Sequence, residues 1–347
     1  MNHHICKVSV GFPVYNVEGY VHRSLKSVLD QTLEDIEVIV VDDCGTDRSM
    51  DVIQELCSSH PKGDIVHIIK HEQNKGLAEA RNTAMKNAQG KYIYFLDSDD
   101  YISTDALSVL YETAEKYQTD VVYGSNCKQE NDRIWVEDGD VLPYKKFLNE
   151  GEFASYLYST IKDNMPITVW NILFNANFLR DNNLLFPSVR YQEDIAFNEL
   201  YYPCVRKAVF LPDKTYYYIM RADSLMNKNA RNTIGIHEAE RAIALCKLIK
   251  SFCSKWSNNP FYGGICAKTL MKCLYEASGI IKHRKAFTEE IADRDIRSMI
   301  EHPDSLYHIV RYKQMKFYNL FFYFMGIIPP KLSIYLMTWI FKSRGYK

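Results

Sequence analysis

Tyr92-Ile93-Tyr94-Phe95-Leu96-Asp97-Ser98-Asp99-Asp100 is an apolar run that ends in three carboxylates within four positions. A strand of apolar residues alone is buried on both faces, as in a parallel sheet covered by helices. The run is the fourth of its kind: residues 8–12, 36–41 and 65–69 precede it, and 120–123 begin a fifth. Helical periodicity fills the gaps at 18–31, 49–58, 77–89 and from Ser103 or Thr104 to Tyr117. Gly90 falls where a glycine would close the third helix, and Ser103 or Thr104 where a cap would open the fourth. The alternation predicts an α/β fold with helices on both faces of its sheet. Such folds bind ligands beyond the carboxyl ends of their strands. Asp42, Asp43, Asp97, Asp99 and Asp100 all fall there.

Three carboxylates so close repel one another and call for compensation. Carboxylate oxygens suit Mg²⁺ or Mn²⁺, which commonly take one or two protein carboxylates plus substrate phosphates. A solvated turn before a helix cap is the plainer alternative. Asp42-Asp43-Cys44-Gly45-Thr46-Asp47 reads either as an ordinary capped turn or as carboxylates that accept hydrogen bonds from a nucleobase or ribose. In Asn74-Lys75-Gly76-Leu77-Ala78-Glu79-Ala80-Arg81-Asn82, the helix start offers N–H groups to an anion. Arg81 can reach a phosphate or pair with Asp97 or Asp99.

The chain has 347 residues and a formal net charge of -1, which disfavours a dedicated nucleic-acid binder. The charge is unevenly spread: residues 1–230 carry a net -11 and residues 231–347 a net +10. With 47% hydrophobic residues the chain has ample material for a core, which excludes extensive disorder. Nine cysteines without a C-x-x-C pair read as reduced thiols, and residues 1–7 show no signal-peptide pattern; both predict a cytoplasmic protein. The ten histidines are scattered and do not suggest a zinc site. No internal repeat or low-complexity tract is present. Three regions are expected: an α/β part at 1–125, a looser part at 126–230 and a helical part at 231–347.

These segments together resemble glycosyltransferase family 2, inverting enzymes of the GT-A fold that use nucleotide sugars. The resemblance rests on Pro13-Val14-Tyr15-Asn16, Val41 to Asp47, Asn74-Lys75-Gly76 with Ala80-Arg81-Asn82, and Phe95 to Asp100. It implies a Rossmann-like domain with a central mixed sheet. Pro13 and Tyr15 would line the nucleotide base, Asp43 would bind its polar edge, and Arg81 would help hold the nucleotide. Asp97 would face the ribose or a divalent cation, Mn or Mg. Asp99 would ligate that cation, and Asp100 would be a further ligand or stand behind the ligands. One departure is Cys44-Gly45, where the family usually has Gly-Ser. A weaker resemblance runs through Val169-Trp170-Asn171, Phe178-Leu179, Phe186 and Gln192-Glu193-Asp194. It makes Asp194 the catalytic base, with Tyr191, Ile195 and Phe197 around it to raise its pKa. A helix cap is the plainer reading of Asp194. Tyr216-Tyr217-Tyr218, Arg221 and Ser224 match a later strand and loop. The implied activity moves a sugar from a nucleotide sugar, by family analogy a UDP-sugar, to a hydroxyl of a glycan or lipid-linked acceptor in surface polysaccharide synthesis. Two rivals are an inactive nucleotide-binding subunit of an assembly complex and a sugar-phosphate nucleotidylyltransferase. The second lacks its glycine-rich amino-terminal loop here.

Residues 305–347 contain seven Lys or Arg, twelve aromatic residues and no acid. The apolar stretch 317–341 is broken by Pro329-Pro330, so neither half reaches the roughly 20 residues that span a bilayer. This predicts either an interfacial hairpin in peripheral contact with a membrane or a helix pair that packs on the protein.

Overall fold

The computed structural model describes residues 6–159, 168–188, 193–221, 235–287 and 289–343. The chain forms two units, Met1–Phe153 with Pro166–Ser224, and Ala154–Met165 with Leu225–Lys347.

The first unit is built on one mixed sheet. Its strands are β1 (Val8–Val14), β2 (Ile36–Asp42), β3 (Val66–Lys70), β4 (Tyr92–Phe95), β5 (Tyr101–Ile102), β6 (Val121–Glu130), β7 (Arg133–Trp135), β8 (Lys145–Phe147), β9 (Ile172–Asn175) and β10 (Ala208–Ile219). Their order is β3-β2-β1-β4-β9-β6-β10-β5, with β7 beside β6 and β8 beside β10. β1 pairs in parallel with both β2 and β4, and β2 with β3. Every residue of β1, β2 and β4 is buried, as their unbroken apolar runs require. Between them run α1 (Val21–Leu29), α2 (Ser49–Ser59) and α3 (Leu77–Asn87), and α4 (Ala106–Tyr117) precedes β6. Leu25, Val28, Ile53, Leu107 and Leu110 join Phe12, Val38, Val40 and Tyr94 in the main core. α3 carries small residues, Ala78, Ala80 and Ala84, on its buried face, so its backbone lies close to the sheet. Beyond these, α5 (Glu152–Tyr158), α6 (Ala176–Asp181) and α7 (Glu193–Tyr201) punctuate the later strands.

The continuous parallel run β3-β2-β1-β4 ends at β4, and parallel pairing returns only between β6 and β10. Between β4 and β6, β9 inserts antiparallel, which makes the sheet mixed. Two local expectations are corrected. α3 ends at Asn87 with Ala88 extended, so Gly90 is not its closing glycine. A Cβ on Gly90 would stand 2.6 Å from the Ser9 nitrogen, and its own N–H donates to Ser9 Oγ at 2.8 Å. The glycine serves close approach of backbones, not a left-handed turn. α4 is preceded by Asp105 and has no side-chain cap; Ser103 Oγ donates to Asp105 instead.

The second unit is helical: α8 (Ile236–Cys253), α9 (Tyr262–His283), α10 (Asp293–Ile300), α11 (Leu306–Ile309), α12 (Lys316–Ile327) and α13 (Pro330–Ser343). Leu245, Cys246 and Ile249 of α8 and Ile265, Leu270 and Cys273 of α9 are buried. All nine cysteines are thiols. Among the described residues no helix is long and apolar enough to cross a membrane. His3 and His4 lie outside the described residues.

Gly90→Ala should destabilise the first unit by about 1–3 kcal/mol, the usual cost of forcing atoms into a filled site. Urea unfolding followed by circular dichroism measures it.

Candidate active site

The carboxyl ends of β1, β2 and β4 lie side by side in the sheet. Pro13 is buried within β1 opposite Val41, and Tyr15, just past the strand, is 49% exposed. Asn16 has a left-handed backbone, φ 53°, and its Oδ1 accepts the Thr46 N–H at 2.7 Å. Asp47 accepts from Glu18 N at 2.8 Å, Ser49 N at 3.1 Å and Ser49 Oγ at 2.6 Å. Burial opposes ionisation of Asp47, but these hydrogen bonds win and hold its pKa below the ordinary value. The loops after β1 and β2 are thus laced together. Cys44 also has a left-handed backbone, φ 59°, a conformation that glycine adopts without strain. Its thiol donates to His71 O at 3.0 Å.

Asp43 is buried and holds the loop before α3. Its Oδ1 accepts from Lys75 N at 2.8 Å and meets His71 Nδ1 at 2.7 Å; its Oδ2 accepts from Gly76 N at 2.8 Å. The other ring nitrogen of His71 meets Thr83 Oγ1 at 2.9 Å. These contacts tie Asp43 to His71 and to the backbone that leads into α3. Gly76, φ 87°, lets the chain turn into α3.

Asp97, Ser98, Asp99 and Asp100 form a tight turn closed by Asp100 N donating to Asp97 O at 3.0 Å. Asp100 does not join the other two at the open end. Its oxygens accept from Tyr216 Oη at 2.6 Å and Ile219 N at 2.7 Å, so it fastens the turn to β10. Burial first, then the charges of Asp99 and Asp97, push its pKa well up. Of the two expectations for Asp100, a further ligand or a group behind the ligands, this anchoring agrees with the second. Asp97 and Asp99 remain partly exposed, and each has an arginine. Arg81 donates to Asp97 Oδ1 at 2.7 Å, and Arg221 Nε lies 2.9 Å from Asp99 Oδ2.

Arg81 is 2% exposed, and its second amino group donates to Glu193 Oε1 at 2.8 Å. Burial works against its charge, yet Asp97, Glu193 and Asp194 together hold the guanidinium above its ordinary pKa. Its expected pairing with Asp97 is present. Each amino group gives one N–H to a carboxylate, and Nε has no hydrogen-bond partner among the described residues. Asp194 follows Glu193 at the start of α7 and is half-buried. Its pKa is pushed up to about 6 by burial and by Glu193, with Arg81 and the Ile195 N–H pulling the other way. That N–H donates to Asp194 Oδ1 at 2.7 Å. Phe197 stacks on Phe186 with ring centroids 4.0 Å apart. Asn82 clamps the Phe186 backbone twice, donating to its oxygen at 2.9 Å and accepting from its nitrogen at 2.8 Å. Tyr191, Gln192 and Ser224 lie outside the described residues. Asp97, Arg81, Glu193 and Asp194 thus meet around one buried cation. Among the described residues no group of three or more His, Cys, Asp or Glu side chains is disposed to hold a metal ion.

The family model described as Glycosyl transferase family 2 matches residues 9–168. The uncharacterized glycosyltransferase EpsJ of Bacillus subtilis is 34% identical over 219 residues, which are 63% of this chain and 62% of EpsJ. TuaG of the same organism, named for teichuronic acid biosynthesis, is 32% identical over 189 residues, 54% of this chain and 69% of TuaG. The chain thus spans less than two thirds of EpsJ. The crystal structure of Staphylococcus aureus TarS 1-349 in complex with UDP-GlcNAc superposes with a TM-score of 0.57 at 19% identity, covering 92% of this chain and 90% of that one.

Arg81→Met should strand two carboxylates beside an apolar side chain and destabilise the first unit by about 3–5 kcal/mol at pH 7.5, as loss of one buried ionic partner does. Lowering the pH to about 5 should recover part of that loss, because the stranded acids then protonate. Urea midpoints at the two pH values measure both effects.

Proposed function

The chain belongs to glycosyltransferase family 2, and we propose that it is an inverting, metal-dependent transferase with Asp194 as its base. Its sugar donor would be a nucleoside-diphosphate sugar, of the UDP class. The observation that carries the reading is Asp194, a half-buried carboxylate whose pKa is pushed up to about 6, linked through Glu193 and Arg81 to Asp97. A general base works best with a pKa near the working pH.

The acceptor hydroxyl oxygen attacks the anomeric carbon as its proton passes to an Asp194 oxygen. The bond from that carbon to the diphosphate oxygen breaks, and the nucleoside diphosphate leaves with the electron pair. Direct displacement inverts the anomeric centre. Tyr15 stands exposed at the end of β1, suitably placed to stack on a base. Asp43 acts indirectly, fixing Lys75 and Gly76 at the entrance to α3. Asp97 and Asp99, 24% and 22% exposed, fit the site of a divalent cation that uses one or two carboxylates plus phosphate oxygens. Such a cation would supply charge to stabilise the leaving diphosphate. The UDP-GlcNAc named for TarS supports the UDP class. Relatives named for teichuronic acid and poly(ribitol-phosphate) chemistry support a surface-glycan acceptor, free or lipid-linked, met at the cytoplasmic face. A lipid-linked acceptor would bring 305–347 into peripheral membrane contact.

Thermal melts with UDP should show a rise in Tm with Mn²⁺ present, as binding to the native state demands. Asp99→Ala should remove the Mn²⁺ dependence; no response to any nucleotide by folded protein would sink the reading.

The base assignment predicts a pH profile. Protonated Asp194 cannot accept a proton, so kcat/KM should fall tenfold per pH unit below about 6. An unperturbed carboxylate would hold activity down to about pH 4. Asp194→Asn should lower turnover by about 10²–10⁴-fold while UDP still raises Tm. A folded pKa above the unfolded one adds stability at low pH that is lost as pH rises through about 6. At pH 8 the Asn variant should therefore melt no lower than the parent.

A further inference from the structure

We propose that α12 and α13 form a docking face for an anionic lipid surface, into which their aromatic rows insert at headgroup depth. The inference deepens the membrane side of the reading above, but it rests on a different part of the chain from the catalytic residues.

Each helix has a fixed side and an open side. In α12, Asn319, Phe322, Met325 and Gly326 are buried. Asn319 Nδ2 donates to Gly263 O at 2.8 Å, its Oδ1 meets His302 Nε2 at 2.9 Å, and Arg297 donates to Gly326 O at 2.5 Å. α12 is thereby pinned to α9 and to the segment that holds α10. Its other side shows Phe317, Phe321 and Phe324 at spacings of four and three, one stripe of a helix. Phe317 is 85% exposed. In α13, Ser333 and Met337 are buried, and Leu332, Tyr335 and Trp339 make a second stripe at spacings of three and four. Trp339 is 62% exposed. Helical rows of exposed large aromatics on two consecutive helices mark an interaction surface. Trp and Tyr beside apolar residues suit the boundary between headgroups and acyl chains.

Charge selects the partner. Lys313, Lys316 and Lys331 are exposed next to these rows, and residues 305–347 contain no acid. Two copies meeting through this face would bring like charges together, which disfavours self-association. An anionic bilayer meets both features, cations at the headgroups and aromatics just beneath. At 12 and 14 residues the helices are too short to span, so they lie in the interface.

The full-length protein is sedimented with vesicles of neutral phosphatidylcholine, or of phosphatidylcholine with 30% phosphatidylglycerol (about 100 mM salt). Binding should be at least about tenfold stronger to the anionic vesicles and should weaken at 500 mM salt. Lys316→Glu with Lys331→Glu should abolish the preference, and Phe317→Ser with Trp339→Ser should lower affinity on both vesicles. Each double variant must keep the parent Tm and its response to UDP. That response reports the nucleotide site separately, so failure of the enzymatic reading and failure of this one are distinguishable. Equal binding to both vesicles, or none, overturns the proposal. So does a dimer seen by light scattering that disappears in the Phe317→Ser, Trp339→Ser variant.

Discussion

A guanidinium that is almost wholly buried stays charged only where carboxylates replace its water. Arg81 is such a group, and the first unit is organised around it. Asp97 brings it the end of β4, and Glu193 brings it the start of α7, 112 positions along the chain from Arg81. One planar, buried guanidinium therefore sets the spacing between the turn after β4 and the helix that carries Asp194. Because Glu193 is spent on Arg81, Asp194 is left in partial burial beside a like charge, which raises its affinity for a proton. Asn82, the next residue of α3, repeats the logic with neutral groups by clamping Phe186.

The acids around this centre divide into those bonded to neutral groups of the protein and those paired with arginines. Asp43, Asp47 and Asp100 accept hydrogen bonds from the protein's own groups, and each joins segments distant in the sequence. Asp97 and Asp99 face arginines instead. Arg81 thereby balances the charge of Asp97 beside the turn, and Arg221 that of Asp99. Fully hydrogen-bonded neighbours then keep those carboxylates in place, the arrangement a preorganised site requires.

β1, β2 and β4 were legible because burial on both faces leaves a continuous apolar run, whereas β3, parallel too, is half-buried to exposed along its length. β9 was not legible: Ile172-Leu173-Phe174-Asn175 is too short for a period, and its place between β4 and β6 is set by pairing remote in sequence. The site shows the same division. The acidic cluster after β4 announces itself locally, as does the partnership of Arg81 with Asp97. What Glu193, His71 and Asn82 do depends on contacts that no local pattern encodes. Asp43 and Asp100 mark the limit of the local pattern: composition reveals a carboxylate but not which of the protein's own hydrogen-bond donors reach it. Cys44 is a third case: its identity departs from glycine, while its backbone keeps the glycine conformation.

The tail shows why two readings of one sequence can both be physical. Residues 305–347 hold more aromatic surface than one packed face can use, so the helix pair buries one stripe and exposes another. The charge split gives the exposed stripe its meaning. Residues 1–230 carry a net -11, which an anionic bilayer repels, whereas residues 231–347 carry a net +10. Salt screens such forces beyond roughly 8–10 Å, so what matters is the charge at the contact, not the total of -1. The chain thus concentrates its cations beside exposed aromatics near its carboxyl end and its acids in residues 1–230, so the two parts present opposite charge to any anionic surface.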